Sequence, residues 1–251
     1  QNSILIEAPG GTYTLTGQLW LDGVNAGLSI EYGTLDADDE NVISFVVLAN
    51  FFTTRAVVMG SGTWTLKRTD QDYVAWNFSV VTGLTVTCET STIVLDTNAC
   101  SFYGGGKTYN NLTINAGATT RVLISGSNTF NNLTIAGRRQ VTLTAGTTQT
   151  ITTLDCSAAS LTSPIAISSS TTSTATISLT NNCSLTYTGL SYITRSGAGT
   201  LTFGTYCWGT GNTSVTDYST TVNLSRTVMP SGGDYTTLSS CMTKNVFALT
   251  L

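Results

Sequence analysis

The sequence predicts an all-β chain wound as a β-solenoid, parallel β-helix-like, with irregular β-rich ends. Three observations point there. Of 251 residues, 50 are Thr and 26 Ser, while only 10% are charged; such a chain lacks the straight-chain helix formers and is rich in a β-branched residue. The segment Tyr109-Asn110-Asn111-Leu112-Thr113-Ile114 returns 21 residues later as Phe130-Asn131-Asn132-Leu133-Thr134-Ile135, and a fixed period of this length marks stacked repeats. Thr, Ser and Asn dominate between the apolar positions, and these residues stack as ladders on successive turns. A β-sandwich is the alternative, because it too is built from many short strands separated by turns, but it does not call for a fixed repeat.

The elements follow in chain order. Residues 1–40 read as an N-terminal attachment or capping region, with strands around 13–21 and an acidic stretch at Asp36-Ala37-Asp38-Asp39-Glu40. The repetitive solenoid spans 41–210. Its first strands are 44–48, 56–59, 63–66, 75–78, 84–87 and 92–95, all apolar or alternating apolar and hydroxyl. The two aromatic-Asn-Asn copies follow, with Tyr109, Asn111, Leu112 and Ile114 matched by Phe130, Asn132, Leu133 and Ile135, and each copy ends in an Ala-Gly turn. Shorter strands continue at 141–144, 151–154, 165–167, 177–179 and 185–187. Residues 211–251 form a C-terminal tail or cap, with a turn or hinge at Pro230-Ser231-Gly232-Gly233.

Several function classes are excluded early. The net charge is −4 and the ten basic residues are scattered, which is not the clustered Lys and Arg that nucleic acid requires; the pair Arg138-Arg139 reads as a solvated turn. No run approaches the ~18 apolar residues of a membrane span. Gln1 opens directly into Ser3-Ile4-Leu5-Ile6 without the charged start of a signal peptide, so a leader either was removed or never existed. Six cysteines lack any Cys-x-x-Cys pair and the chain has no histidine, a pattern that fits no zinc or redox motif. The thiols read as small buried apolar side chains, with disulfides the alternative outside the cell.

A set of landmarks carries a resemblance. They are Gly60-Ser61-Gly62-Thr63-Trp64-Thr65-Leu66, Trp76-Asn77-Phe78, Thr90-Ser91-Thr92-Ile93-Val94, the two strings that open at Gly104 and Gly126 and end at Leu112 and Leu133, Thr144-Ala145-Gly146-Thr147-Thr148, the segment 184–193, Trp208 and Gly211-Asn212. In this order, over residues 60–212, the chain resembles repetitive β-rich structural proteins of tailed phages and prophages, of tail-fibre, tailspike or decoration type. The resemblance implies a β-helical virion protein without enzymatic activity. It supplies no catalytic residues.

The chemistry of the side chains agrees with that expectation. Without histidine the Ser-His-Asp and Cys-His triads are gone, as is the commonest general base near neutral pH. Polysaccharide cleavage needs paired carboxylates, and between Asp96 and Asp217 only Asp155 is acidic; a depolymerase site would have to be shared between subunits. Asp36, Asp38 and Glu40, with Asp39 and Glu31 nearby, offer oxygen ligands of the kind Ca²⁺ takes, though without the spacing of an EF-hand. A solvated acidic loop is the simpler reading. Asn-x-Ser/Thr triplets occur at Asn77, Asn111, Asn132, Asn182, Asn212 and Asn223, and the regular Asn111 and Asn132 are best explained as caps of equivalent turns. The tryptophans read as closing the core or the ends of the stack, and Tyr206 and Trp208 are the carbohydrate-binding candidates.

These expectations combine into one function: a structural protein of a virion, without a cofactor, partnered by itself as a homotrimer or polymer, by other virion proteins and by a host-surface glycan. The alternative is an extracellular or cell-surface adhesin or filament subunit that adds Ile4-Leu5-Ile6 or the C-terminal 246–251 string to a neighbour's sheet.

Overall fold

A strand of three to five residues bounded by turns has no core of its own, so it gains stability only by lying on another such strand. In the computed structural model, which describes residues 3–213 except 22, 24, 69–73, 97–100, 116–120, 138, 161 and 205, each turn of chain rests on the turn before it. The described residues are all β without a helix, and their strands stack in parallel as about nine turns of a β-solenoid. Every ladder between named strands is parallel, so the sandwich arrangement is not adopted.

The ladders run along three sides. The first side passes from 4–6 and 27–30 through Val46–Leu48, Val74–Asn77, Ser101–Tyr103, Arg121–Ser125, Gln140–Leu143, Ile165–Ser169 and Thr188–Ser191 to Trp208–Thr210. The second begins at 12–14 and 33–36 and continues through Arg55–Val58 and Leu84–Thr87. It then carries the first halves of Thr108–Ile114, Thr129–Ile135 and Thr148–Asp155, followed by Ala175–Leu179 and Ile193–Ser196. Between Leu84–Thr87 and Thr108–Ile114 the link is irregular, with Lys107 Nζ donating to the Leu84 carbonyl at 2.8 Å. The third side holds Leu19–Leu21, Val42–Ser44, Thr63–Leu66, Thr92–Leu95 and the second halves of the three long strands, beyond which lies the pair Cys183–Leu185 and Leu201–Phe203.

Inward positions stack like on like. Trp64, Ile93, Leu112, Leu133 and Leu154 are successive partners on the third side, and Val47, Trp76, Phe102, Ile124 and Leu143 on the first. All ten are buried. Each large side chain so buried contributes about 1.5–3 kcal/mol relative to exposure. Trp76 is the aromatic hub, edge-on to Trp64 at 5.8 Å and to Tyr109 at 6.0 Å.

The predicted 21-residue repeat is one turn of the solenoid. Tyr109 pairs with Phe130, Asn111 with Asn132, Leu112 with Leu133 and Ile114 with Ile135. At this corner the asparagines form the expected ladder: Asn132 Nδ2 donates to Asn111 Oδ1 at 2.7 Å, and Asn111 Nδ2 to Thr92 Oγ1 at 3.1 Å. A parallel outer rung joins Asn131 Nδ2 to Asn110 Oδ1 at 3.1 Å.

Three expectations require correction. Residue 41 marks no break in the stack, because Ile4–Thr14 pairs in parallel with Gly27–Asp36, which pairs in turn with Val46–Leu48 and Arg55–Val58. The expected strand 44–48 is two strands, since buried Phe45 turns inward at a corner where Ser44 Oγ donates to Val46 O at 2.8 Å. Arg139 is not solvated: it is 2% exposed and its Nε donates to the Asn115 carbonyl. The expected C-terminal tail lies outside the described residues from 214 onward.

A second buried arginine braces the solenoid. Arg55 is 1% exposed, and its five N–H donors reach the carbonyls of Ala49, Thr53, Val80 and Thr82 at 2.5–3.0 Å. Burial lowers its pKa from the usual arginine value. The guanidinium therefore ties two successive corner loops, 49–54 and 78–83, with one planar fork.

Candidate functional site

Aromatic residues gather on the last described turns. Tyr187 and Tyr206 occupy equivalent corners, both with positive φ (48° and 56°), and their rings stack with centroids 5.2 Å apart and planes inclined by 19°. Tyr206 is 40% exposed. Two residues beyond each lies the pair Gly189 and Trp208, partners on the first side. The indole lies against Gly189 so closely that a Cβ there would come within 2.2 Å of Cε2. Trp208 is half-buried against the sheet beside the exposed Tyr206. Two aromatic surfaces at one corner and adjoining side are the geometry that suits stacking against a sugar ring.

The other tryptophans divide. Trp64 and Trp76 are fully buried core residues, whereas Trp20, in the outermost strand of the third side, is 59% exposed.

The acidic stretch does not converge. Asp36 Oδ1 accepts the backbone N–H of Asp38 at 3.0 Å, while Asp39 Oδ1 reaches across to Ser61 N at 2.7 Å on the next turn. Among the described residues no group of three or more His, Cys, Asp or Glu stands close enough to hold a metal ion. Asp36, Asp38 and Glu40 thus serve a tight turn, with Asp38 and Asp39 both at positive φ.

Asp155 is likewise a turn residue, its Oδ1 accepting Ser157 N at 2.8 Å. Three asparagines of the Asn-x-Ser/Thr triplets are likewise engaged: Asn77 Oδ1 accepts from Ser79, Asn182 Oδ1 from Thr200 N, and Asn212 Oδ1 from Ile193 N, while Asn223 lies outside the described residues.

The thiols lie inside. Cys156, Cys183 and Cys207 are buried and Cys88 half-buried, and Cys88, Cys156 and Cys183 carry no disulfide. Cys100 and Cys241 lie outside the described residues. Cys183 Sγ donates to Leu154 O, and Cys207 Sγ to Leu185 O. Burial, reinforced by Asp155, pushes the Cys183 thiol up to about 11, and burial raises Cys156 further still. Both are protonated near neutral pH and unsuited to nucleophilic work.

A shallow trough of about 150 Å³ sits on the second side near its start, between Gly10, Gly33, Thr34, Ala56 and Thr85. It exists because small residues occupy outward positions there. Two buried amides were not legible as functional or structural groups from sequence. Asn128 and Gln149 are 0% exposed and stack on successive turns, Asn128 Nδ2 donating to Gln149 Oε1 at 3.1 Å. Their spacing of 21 residues, the same as the aromatic-Asn-Asn repeat, was the available signal.

No helix among the described residues is long and apolar enough to cross a membrane. No family model, curated protein or solved structure matches the chain.

Proposed function

We propose that the chain is a non-enzymatic structural protein of a phage particle, of tail-fibre, tailspike or capsid-decoration type, whose solenoid acts as a stiff shaft. The observation that carries this reading is the in-register stack of about nine turns. Backbone ladders along three sides resist bending, and outward hydroxyls and amides keep the surface hydrated without a strong field. Solenoids expose terminal turns that need capping, and a homotrimer together with other virion proteins supplies that cover. Tyr206 and Trp208, with Tyr187 beneath, contribute a host-surface glycan contact.

Electron microscopy of the native source assembly, at a resolution that traces this chain, tests the reading. Density at regular capsid or tail positions is the expected result. A chain found only in open polymers would overturn it.

A second reading, an extracellular adhesin or filament subunit, is favoured by the N-terminal end. Ile4–Thr14 pairs only with Gly27–Asp36, and Leu19–Leu21 only with Val42–Ser44, among the described residues. Their free edges, with Leu5 and Trp20 more than half exposed, offer strand addition. Open polymers in the same micrographs would support it.

A further inference from the structure

On the second side, four consecutive turns each present a hydroxyl, an intervening residue and a second hydroxyl: Ser127-Asn128-Thr129, Thr148-Gln149-Thr150, Thr176-Ile177-Ser178 and Thr194-Arg195-Ser196, the intervening residue buried in the first three and half-buried in the fourth. The turns are in register. Thr129 pairs with Thr150, Thr148 with Thr176, Thr150 with Ser178, Thr176 with Thr194 and Ser178 with Ser196, while Thr148 N donates to Ser127 Oγ at 3.1 Å. Eight hydroxyls therefore stand in two columns of four. Their spacing is about 4.8 Å from turn to turn and about 6.6 Å along each strand.

Six of the eight hydroxyls are free, while Ser127 Oγ accepts the Thr148 N–H and Thr194 Oγ1 is bound to Thr213 Oγ1 at 2.6 Å; the first three turns carry no charge, and in the fourth half-buried Arg195 lies between Thr194 and Ser196. The hydroxyls of Thr129, Thr148, Thr150, Thr176, Ser178 and Ser196 make no hydrogen bond within the described residues, unlike those of Thr147 and Thr188, which are bound to backbone carbonyls. Beneath them Gln149 Nε2 donates to Gly126 O at 2.7 Å and Asn128 Oδ1 accepts Gly106 N at 3.1 Å, so the buried amides pin the floor of the array. Threonine adds its own stiffness, because branching at Cβ limits χ1.

We propose that this face binds ice. Each hydroxyl donates and accepts, as a lattice water does, and the two repeats are of the same order as the oxygen repeats on a hexagonal ice surface. The threonine methyls fill the spaces between hydroxyls with apolar surface, and no charged side chain lies between the hydroxyls of the first three turns to impose its own hydration shell. Single hydroxyl–water contacts are weak, but the six free hydroxyls on a preorganised frame engage together at little entropic cost. A soluble glycan fits this face less well, since no aromatic ring lies within the array for a sugar to stack on.

Ice recrystallisation inhibition by the full chain tests the proposal, with Thr150→Tyr and Thr176→Tyr as lattice variants and Thr113→Tyr, outward on another side, as control. Thermal melts confirm that each variant folds. Micromolar wild type and Thr113→Tyr should hold grain size constant, while each lattice variant needs about tenfold more protein or more. Wild type that coarsens like an inert protein of equal mass would overturn the proposal, as would equal loss in Thr113→Tyr. Wild type inactive on ice whose retention on insoluble polysaccharide is abolished by Thr150→Tyr would also overturn it and assign the face to glycan.

Discussion

Tyr109 stacks on Phe130 one turn away, ring centroids 5.9 Å apart and planes inclined by 24°. The same Tyr109 hydroxyl accepts the Trp76 indole N–H at 3.2 Å and donates to the Gly104 carbonyl at 2.8 Å. One residue thus joins the stacking of turns to the satisfaction of buried polar groups. Tyr109→Phe keeps the ring but leaves a buried N–H and a buried carbonyl without their partner. A loss of about 1–3 kcal/mol is expected, read from the urea midpoint.

Alkaline pH should weaken the fold through the same residue and the thiols. Burial raises Tyr109, Cys156 and Cys183 above their ordinary values, Cys183 to about 11. A group whose folded value is raised contributes its full stability below its unfolded value, about 8.5 for Cys and 10 for Tyr, and loses it as pH rises toward the folded value. Urea midpoints should therefore fall from about pH 8.5 upward, with Cys183→Ala flattening the decline up to about 11. An unchanged slope in that variant would refute the assignment.

Arg55 should be among the costliest single substitutions. Arg55→Met strands the carbonyls of Ala49, Thr53, Val80 and Thr82, and a destabilisation of about 3 kcal/mol or more follows from unpaired buried acceptors. Arg55→Lys keeps the charge but not the planar fork, so its melting temperature should fall between wild type and Arg55→Met.

The asparagine ladder predicts coupling. Asn111→Ala and Asn132→Ala each lose the 2.7 Å rung, so the double variant should be more stable than additivity allows by about 0.5–1 kcal/mol. Additive losses would show that the rung carries no net energy.

Gly189→Ala forces Trp208 off the sheet, because the added Cβ would overlap the indole. Trp208 emission, taken as the difference from Trp208→Phe, should shift to the red. Any glycan retention that depends on this corner should fall with it.

Sequence disclosed the solenoid where its turns are most alike. The 21-residue return of Tyr109–Ile114 residues in Phe130–Ile135 is visible because both turns keep equal length and the same corner asparagines. Elsewhere the turns lengthen to 29 residues, as between Trp64 and Ile93, or shorten to 19, as between Ile93 and Leu112, and the period dissolves. Three-residue strands such as Ser101–Tyr103 and Trp208–Thr210 are too short for alternation to register. Arg139 and Arg55 were illegible for another reason: their burial depends on carbonyls brought together from other turns. Tyr206 and Trp208 could be named as candidate aromatics, but the part played by Gly189 emerges only once it is the partner of Trp208.

Each repeat is one turn stacked in register, so distances along the second side must grow with the number of turns between two positions. Thr12, Thr85, Thr150 and Ser196 lie there on turns one, four, seven and nine. Spin labels carried on unnatural ketone side chains at these outward positions, measured by pulsed electron paramagnetic resonance, should give separations from Thr12 that rise steadily, about 14, 29 and 38 Å at ~4.8 Å per turn. A Ser196 label no farther from Thr12 than the Thr85 label would mean that the chain folds back on itself, and would contradict the solenoid.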